Sequence, residues 1–201
     1  MRNFRIANVL DTELTCYPDG IFPEGLVPEI IDIGLVEVNL QALEIQRCIS
    51  IQVVPVKSMV SPFCTELTGW TYAKLLKCGV PFKEACRRLT EKYASKGRLL
   101  VTDSNGDVES FKRQCPRSRG RLRPGIHFPF GEDRFNVSTL FSLVTGQEKN
   151  LSLEAKLEFL GMKFEGTPHR AVVDATNIAR LWIKLLEITR EGVAGIKPVT
   201  G

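Results

Sequence analysis

Residues 9–14, VLDTEL, limit what this chain can fold into more than any other stretch. An apolar run ends in two carboxylates, Asp11 and Glu13, with one residue between them. Side chains alternate along a strand, so both acids point to the same face. Like charges side by side repel, and burial makes the repulsion worse. A cation between them relieves it, and hard divalent ions such as magnesium take carboxylate oxygens as ligands. The far end of the chain answers this demand, because HRAVVD supplies His169 and Asp174 at the edge of a long helical pattern.

The chain has 201 residues, enough for one domain with a sizeable core. We expect a single domain over 1–201, with 190–201 as a frayed tail. No apolar run is long enough to span a bilayer. The start, MRNFRIANVLD, is too short and too soon acidic for a signal peptide. These features predict a cytoplasmic protein with no membrane partner. Net charge is only +4, which by itself implies no nucleic-acid partner. Its distribution says more: residues 112–123, KRQCPRSRGRLR, hold six basic residues and no acidic one. Such a run is either a solvated face or a phosphate-binding arm. Six cysteines form no C-x-x-C and are not grouped with the two histidines, so this is not a zinc pattern. Reduced thiols are expected.

Residues 4–10 read as a strand, 29–38 as a second, mostly apolar and central, and 43–54 as an alternating third. The short connection NLQA suits a hairpin, so the chain opens as an antiparallel meander. One or two short helices follow residue 62, with Thr65 or Thr68 as caps. Phe82, Ala85, Leu89 and Tyr93 share one helical face, in a helix begun at Pro81 and ended by Gly97. A fourth strand at 98–102 runs into DSNGD, followed by a short helix from Val108. A fifth short strand is expected at 134–137 and helices at 138–144, 151–160 and 174–189. The fold class is therefore α/β, with a mixed five-stranded sheet flanked by helices. Functional groups in such sheets sit at strand ends.

Asp11 and Glu13 close the first strand, a third carboxylate (Asp107 or Asp103) follows the fourth, and Asp174 opens the last helix. If the fold gathers them, two divalent cations relieve their repulsion. Two metals roughly 4 Å apart can stabilise both the attacking and the leaving oxygen of a phosphoryl transfer. His169 lies five positions before Asp174, off its helical face, so we place it in the preceding loop. A histidine there can take a proton from the attacking water near neutral pH. Each residue alone has a plainer use: Asp174 as a helix cap, His169 as a loop histidine, Asp107 as a turn residue.

Three blocks carry a family resemblance: DTELTC at 11–16, CTELTG at 64–69 and LGMKFEGTPHRAVVDATNIARL at 160–181. In this order they resemble the DEDDh 3′→5′ exonucleases of the RNase H-like fold. The nearest likeness is to the branch that holds the histone-mRNA 3′ exonuclease and the RNAi-related exonucleases. The resemblance covers nearly the whole chain. It implies that Asp11, Glu13 and Asp174 bind metal, with Mg2+ or Mn2+ as a pair of divalent cations. It implies His169 as general base, since no tyrosine stands near Asp174. Thr12 and Leu14 match positions that grip the terminal nucleotide. Leu67, Thr68 and Trp70 match the segment lying against its base, where Trp70 either stacks on the base or serves as a rim aromatic. The chain departs from the family in its second motif, VTDSNGDVESF, which lacks a tryptophan. Aligning Phe111 with the family's aromatic selects Asp107, with Asp103 as the rival.

Two functions are compatible with these residues. One is a metal-dependent 3′→5′ exonuclease acting on the 3′ end of single-stranded RNA or DNA and releasing nucleoside 5′-monophosphates. The other is a nucleic-acid-binding module that keeps the fold with little or no turnover.

Overall fold

Alternation along the first strand decides which side of the sheet becomes the working face. In the computed structural model, which describes residues 5–115, 117–118, 121–122 and 126–193, strand β1 is Ile6–Leu14. Ala7 and Val9 are buried on one side and Leu10 on the other. Asp11 and Glu13 continue the side of Ala7 and Val9. The two acids thus lie inside the strand, not after it, because pairing with β2 carries the ladder through to Leu14.

Strands β2 (Ile30–Asn39) and β3 (Glu44–Gln52) complete the antiparallel meander. Helices α1 (Pro62–Thr68), α2 (Tyr72–Cys78) and α3 (Phe82–Tyr93) follow. Ser61 and Thr71 cap the first two, each accepting from the backbone N–H three residues on. The expected caps Thr65 and Thr68 fall inside α1, because Pro62 starts that helix earlier. Pro81 precedes α3, whose end is set by Ala94 at φ 49° and not by Gly97.

Strand β4 (Leu99–Thr102) pairs in parallel with β1, and α4 (Gly106–Gln114) begins four residues after it. Two short strands, β5 (Arg117–Ser118) and β6 (Arg121–Leu122), form a separate small ladder. Strand β7 (Arg134–Asn136) joins β4 in parallel, giving a mixed five-stranded sheet in the order β3-β2-β1-β4-β7. Helices α5 (Val137–Thr145), α6 (Leu153–Phe159) and α7 (Ala171–Val193) close the chain. The helix α7 runs through residues 190–193, the first part of the expected frayed tail; residues 194–201 lie outside the described set.

Two apolar layers sandwich the sheet. One packs Leu10, Ile33, Leu35 and Leu100 against Phe82, Leu89 and Phe111 of α3 and α4. The other packs Ala7, Val9, Val36, Val38 and Val101 against Phe141 and the α7 stripe Ala175, Ile178, Trp182 and Leu185. Each large buried side chain contributes about 1.5–3 kcal/mol. Helix α7 therefore crosses the same face that carries Asp11 and Glu13. Gly34, paired with Asp11, sets how close it comes, since a Cβ there would meet the Ala171 carbonyl oxygen at 2.0 Å. No helix among the described residues is long and apolar enough to cross a membrane. All six cysteines are free thiols.

Candidate active site

The α7-facing rows of the sheet read Ala7, Val9, Asp11, Glu13 along β1 and Val38, Val36, Gly34, Asp32 along β2. Their apolar ends seat the middle of α7, and their polar ends lie beneath its first turn. Asp174 stands in that turn, so the helix packing itself delivers the third acid. Oxygens of Asp11, Glu13 and Asp174 lie within 4.8 Å of one another. The helix opens at Ala171, before Asp174, and one Asp174 oxygen accepts from the Arg170 backbone N–H at 2.9 Å. That oxygen works as a helix cap, which leaves the other for the cleft.

Asp107 reaches the same place from the other side of β1. It lies in the first turn of α4, not in a loop, because Gly106 already starts that helix. Its Oδ1 accepts from the Thr12 hydroxyl at 2.7 Å. Asp103 has different company: Lys156, almost fully buried, pairs with it at 2.6 Å, and Ser138 donates to its second oxygen. Its charge is already neutralised within the protein.

An open cleft of about 560 Å3 is lined by Asp11, Thr12, Glu13, Leu14, Asp103, Asp107, His169 and Asp174. His169 belongs to the turn before α7, off the helix, and its backbone is left-handed at φ 60°. Leu67, Thr68 and Trp70 do not line this cleft. Thr68 is buried, and its hydroxyl donates to the Cys64 carbonyl and accepts from the Trp70 N–H. It has no free edge for a nucleotide. Leu67 remains exposed on α1. Arg113, the second residue of the basic run, lines the cleft, whereas Lys112 pairs with Glu109. Residues 116, 119–120 and 123–125 of that region lie outside the described set.

The electrostatics are those of too much negative charge in too little water. Burial, then Asp107, Glu13 and Asp174, push Asp11 well above the usual carboxylate range. Burial and the Asp174 charge lift Glu13 to about 8. Burial lifts Asp107 to about 6 against the opposing Thr12 hydrogen bond, and burial also raises Asp174. Four acids from three elements, all with hard oxygen donors and all raised, fit a site that holds divalent cations. Asp32 was not singled out by the sequence. It is a buried acid in a central strand, sharing the row of Gly34, Val36 and Val38; that oddity was the available signal.

Known proteins agree with this geometry. The sequence profile of the Exonuclease family (RNase_T) matches residues 9–182. The chain is 29% identical over 158 residues to 3′-5′ exoribonuclease 1 of Rattus norvegicus and 30% identical over 165 residues to that of Homo sapiens. Each match covers 75% of this chain and 44% of the relative, so the chain spans less than half the length of those proteins. Among solved structures, the nuclease domain of 3′hExo, a DEDDh family member, bound to rAMP, superposes with a TM-score of 0.80 at 27% identity. That match covers 92% of this chain and 93% of the other. A 3′-exonuclease structure showing 3′-end-specific recognition of histone mRNA stem-loop gives 0.76 at 26%, covering 92% of this chain and 64% of the other. With its acids gathered on an RNase H-like sheet and the family profile spanning most of its length, this chain belongs to the Exonuclease family, on the DEDDh nuclease fold.

Proposed function

We propose that this chain is a metal-dependent 3′→5′ exonuclease that hydrolyses the last phosphodiester of single-stranded RNA or DNA and releases a nucleoside 5′-monophosphate. The observation that carries the reading is the meeting of Asp11, Glu13 and Asp174 within 4.8 Å beneath the His169 turn. The unit doing this is the whole of 1–201, in our reading. Its cytoplasmic location is an expectation from sequence alone.

Asp11, Glu13, Asp174 and Asp107 would hold two divalent cations, Mg2+ or Mn2+. Asp107 is preferred over Asp103 because Asp103 already has Lys156 as counter-charge. When bound, the cations would supply positive charge that stabilises the transferring phosphoryl group. His169 takes the proton of the attacking water at the cleft mouth. The new P–O bond forms as the P–O3′ bond breaks, leaving a shortened chain with a free 3′-hydroxyl. Thr12 and Leu14 flank Glu13 in the cleft and meet the terminal nucleotide, while Leu67 and Trp70, on the α1–α2 side outside the cleft lining, would lie toward its base. Thr68 supports Trp70 from inside by accepting from its backbone N–H. Arg113 at the cleft gives the strand a phosphate contact.

The test is cleavage of 5′-labelled single-stranded RNA and DNA oligonucleotides with Mg2+, Mn2+ or chelator, beside Asp11→Ala. We expect a ladder shortening from the 3′ end, absent with chelator and in the variant. Intact oligonucleotide bound by folded protein under every condition would move the reading to a binding module, whose affinity falls steeply with salt.

A further inference from the structure

Trp70, on the turn between α1 and α2, is engaged on its edge and on a face. Its indole N–H donates to Asp32 Oδ2 at 3.1 Å. The Arg170 guanidinium lies over its ring, 5.5 Å from the centroid. Gly69, at φ 67°, makes room for that guanidinium: a Cβ there would lie 2.2 Å from the Arg170 Nη2. Arg170 is next in sequence to His169, and its own N–H is tied to Asp174. A continuous path of contacts thus runs from Asp32 through Trp70 and Arg170 to the turn that carries His169.

Asp32 suits the base of such a path. It is 1% exposed, and its other oxygen accepts from Ser50 at 3.3 Å and Gln52 at 3.2 Å on β3. Both oxygens are therefore occupied, and Asp32 does not line the cleft, although it pairs with Glu13 across the ladder and its charge helps raise that acid. Two residues along the same row, Gly34 seats the backbone of Ala171 and Val172. Asp32, through Trp70 and Arg170 and by accepting from the Ala171 backbone, and Gly34, against Ala171 and Val172, both act where the His169 turn joins α7. That turn needs fixing: a histidine at positive φ sits in a sparsely populated conformation, which persists only where its surroundings hold it.

We propose that Asp32 is a positioning residue for His169, acting through Trp70 and Arg170 to hold the imidazole over the carboxylates. The proposal rests on His169 being the general base. It assigns Trp70 chiefly to the protein side of the cleft, with its indole N–H serving the His169 turn.

The full chain is assayed as Asp32→Asn, Asp32→Ala and Trp70→Phe, each alone and with His169→Ala. Asp32→Asn keeps the volume and one acceptor oxygen, and Trp70→Phe removes the indole N–H while keeping a ring, so both guard against simple unfolding. Expected is a fall in kcat of about 10–100-fold, since small misplacements of a reacting group carry losses of that size. In the Asp32 variants, whose side chain is buried outside the cleft lining, KM for the oligonucleotide should change by less than about threefold. In the His169→Ala background the same substitutions should cause no further loss, because residues acting as one unit are not additive. Equal losses in both backgrounds, or a raised KM with kcat intact, overturn the proposal.

A wild-type protein inactive with both metals defeats the exonuclease reading instead. The positioning claim is then decided by NMR of the two histidine rings. His169 signals should shift or broaden in Asp32→Asn and Trp70→Phe, with His127 as the unmoved internal reference. Unchanged His169 signals overturn it.

Discussion

The Thr12 hydroxyl donates to Asp107 Oδ1 at 2.7 Å, joining two residues 95 positions apart in the chain. This bond fixes the α4 acid beside the β1 acids, and it separates Asp107 from Asp103. The two should respond differently to substitution. Asp107→Asn should lower kcat by at least about 100-fold, as loss of a transition-state contact does, with stability near wild type. Asp103→Ala should instead destabilise by about 3 kcal/mol, because it leaves the Lys156 ammonium buried without a counter-charge, held only by the Ser138 hydroxyl. Turnover assays and urea denaturation, run on both variants, distinguish these outcomes.

Glu13 makes the stability of the metal-free protein depend on pH. Its folded pKa, about 8, lies above its ordinary value of 4.5, so the folded state binds the proton more tightly. That contribution is fully present below pH 4.5 and is lost as pH rises through about 8. Asp11 and Asp174, also raised, act in the same direction. With chelator present, Tm should therefore fall between pH 5 and pH 8. Mg2+ or Mn2+ at pH 8 should restore it, by about 5–10 °C at a hundredfold excess over Kd. Calorimetry on wild type and Glu13→Gln checks both the slope and its loss.

Gly34→Ala tests how α7 is seated. The added methyl would lie 2.0 Å from the Ala171 carbonyl oxygen, so the helix must move away from β2. Overpacking of this kind destabilises by about 1–3 kcal/mol. The displaced turn carries His169 and Asp174 with it, so kcat should fall even in the folded fraction. Denaturation and initial rates on one preparation measure both effects.

His169→Ala should leave the fold intact and lower kcat by about 100- to 10,000-fold, the range for removing a positioned general base. Unaltered turnover at neutral pH would remove His169 from the mechanism.

The pattern of residues went far toward the fold. Three alternating or apolar runs, the second and third joined by the short NLQA connection, pointed to the meander, and the 3.6 spacing of Ala175, Ile178, Trp182 and Leu185 to the stripe of α7. Boundaries followed less well. The carboxylates of β1 looked like a strand ending, yet the ladder to β2 holds them within it. Thr65 and Thr68 have the right chemistry for caps, but Ser61 ahead of Pro62 takes that role, since local preference does not say which hydroxyl stands at the turn.

The sequence by itself determined the acid pair on one strand face, the histidine off the helix that carries Asp174, and the family to which these blocks point. Each is a matter of spacing within one element or between neighbouring positions. Tertiary structure alone decided the rest. Lys156 comes to Asp103 and Thr12 to Asp107 across long separations in the chain, and those partners distinguish the two acids. Asp32 reads in sequence as an odd acid within an apolar strand; only packing brings Trp70 to it and Arg170 to Trp70. Contacts of that kind depend on how sheet and helices stack, and no periodicity along a chain records which side chains meet across them.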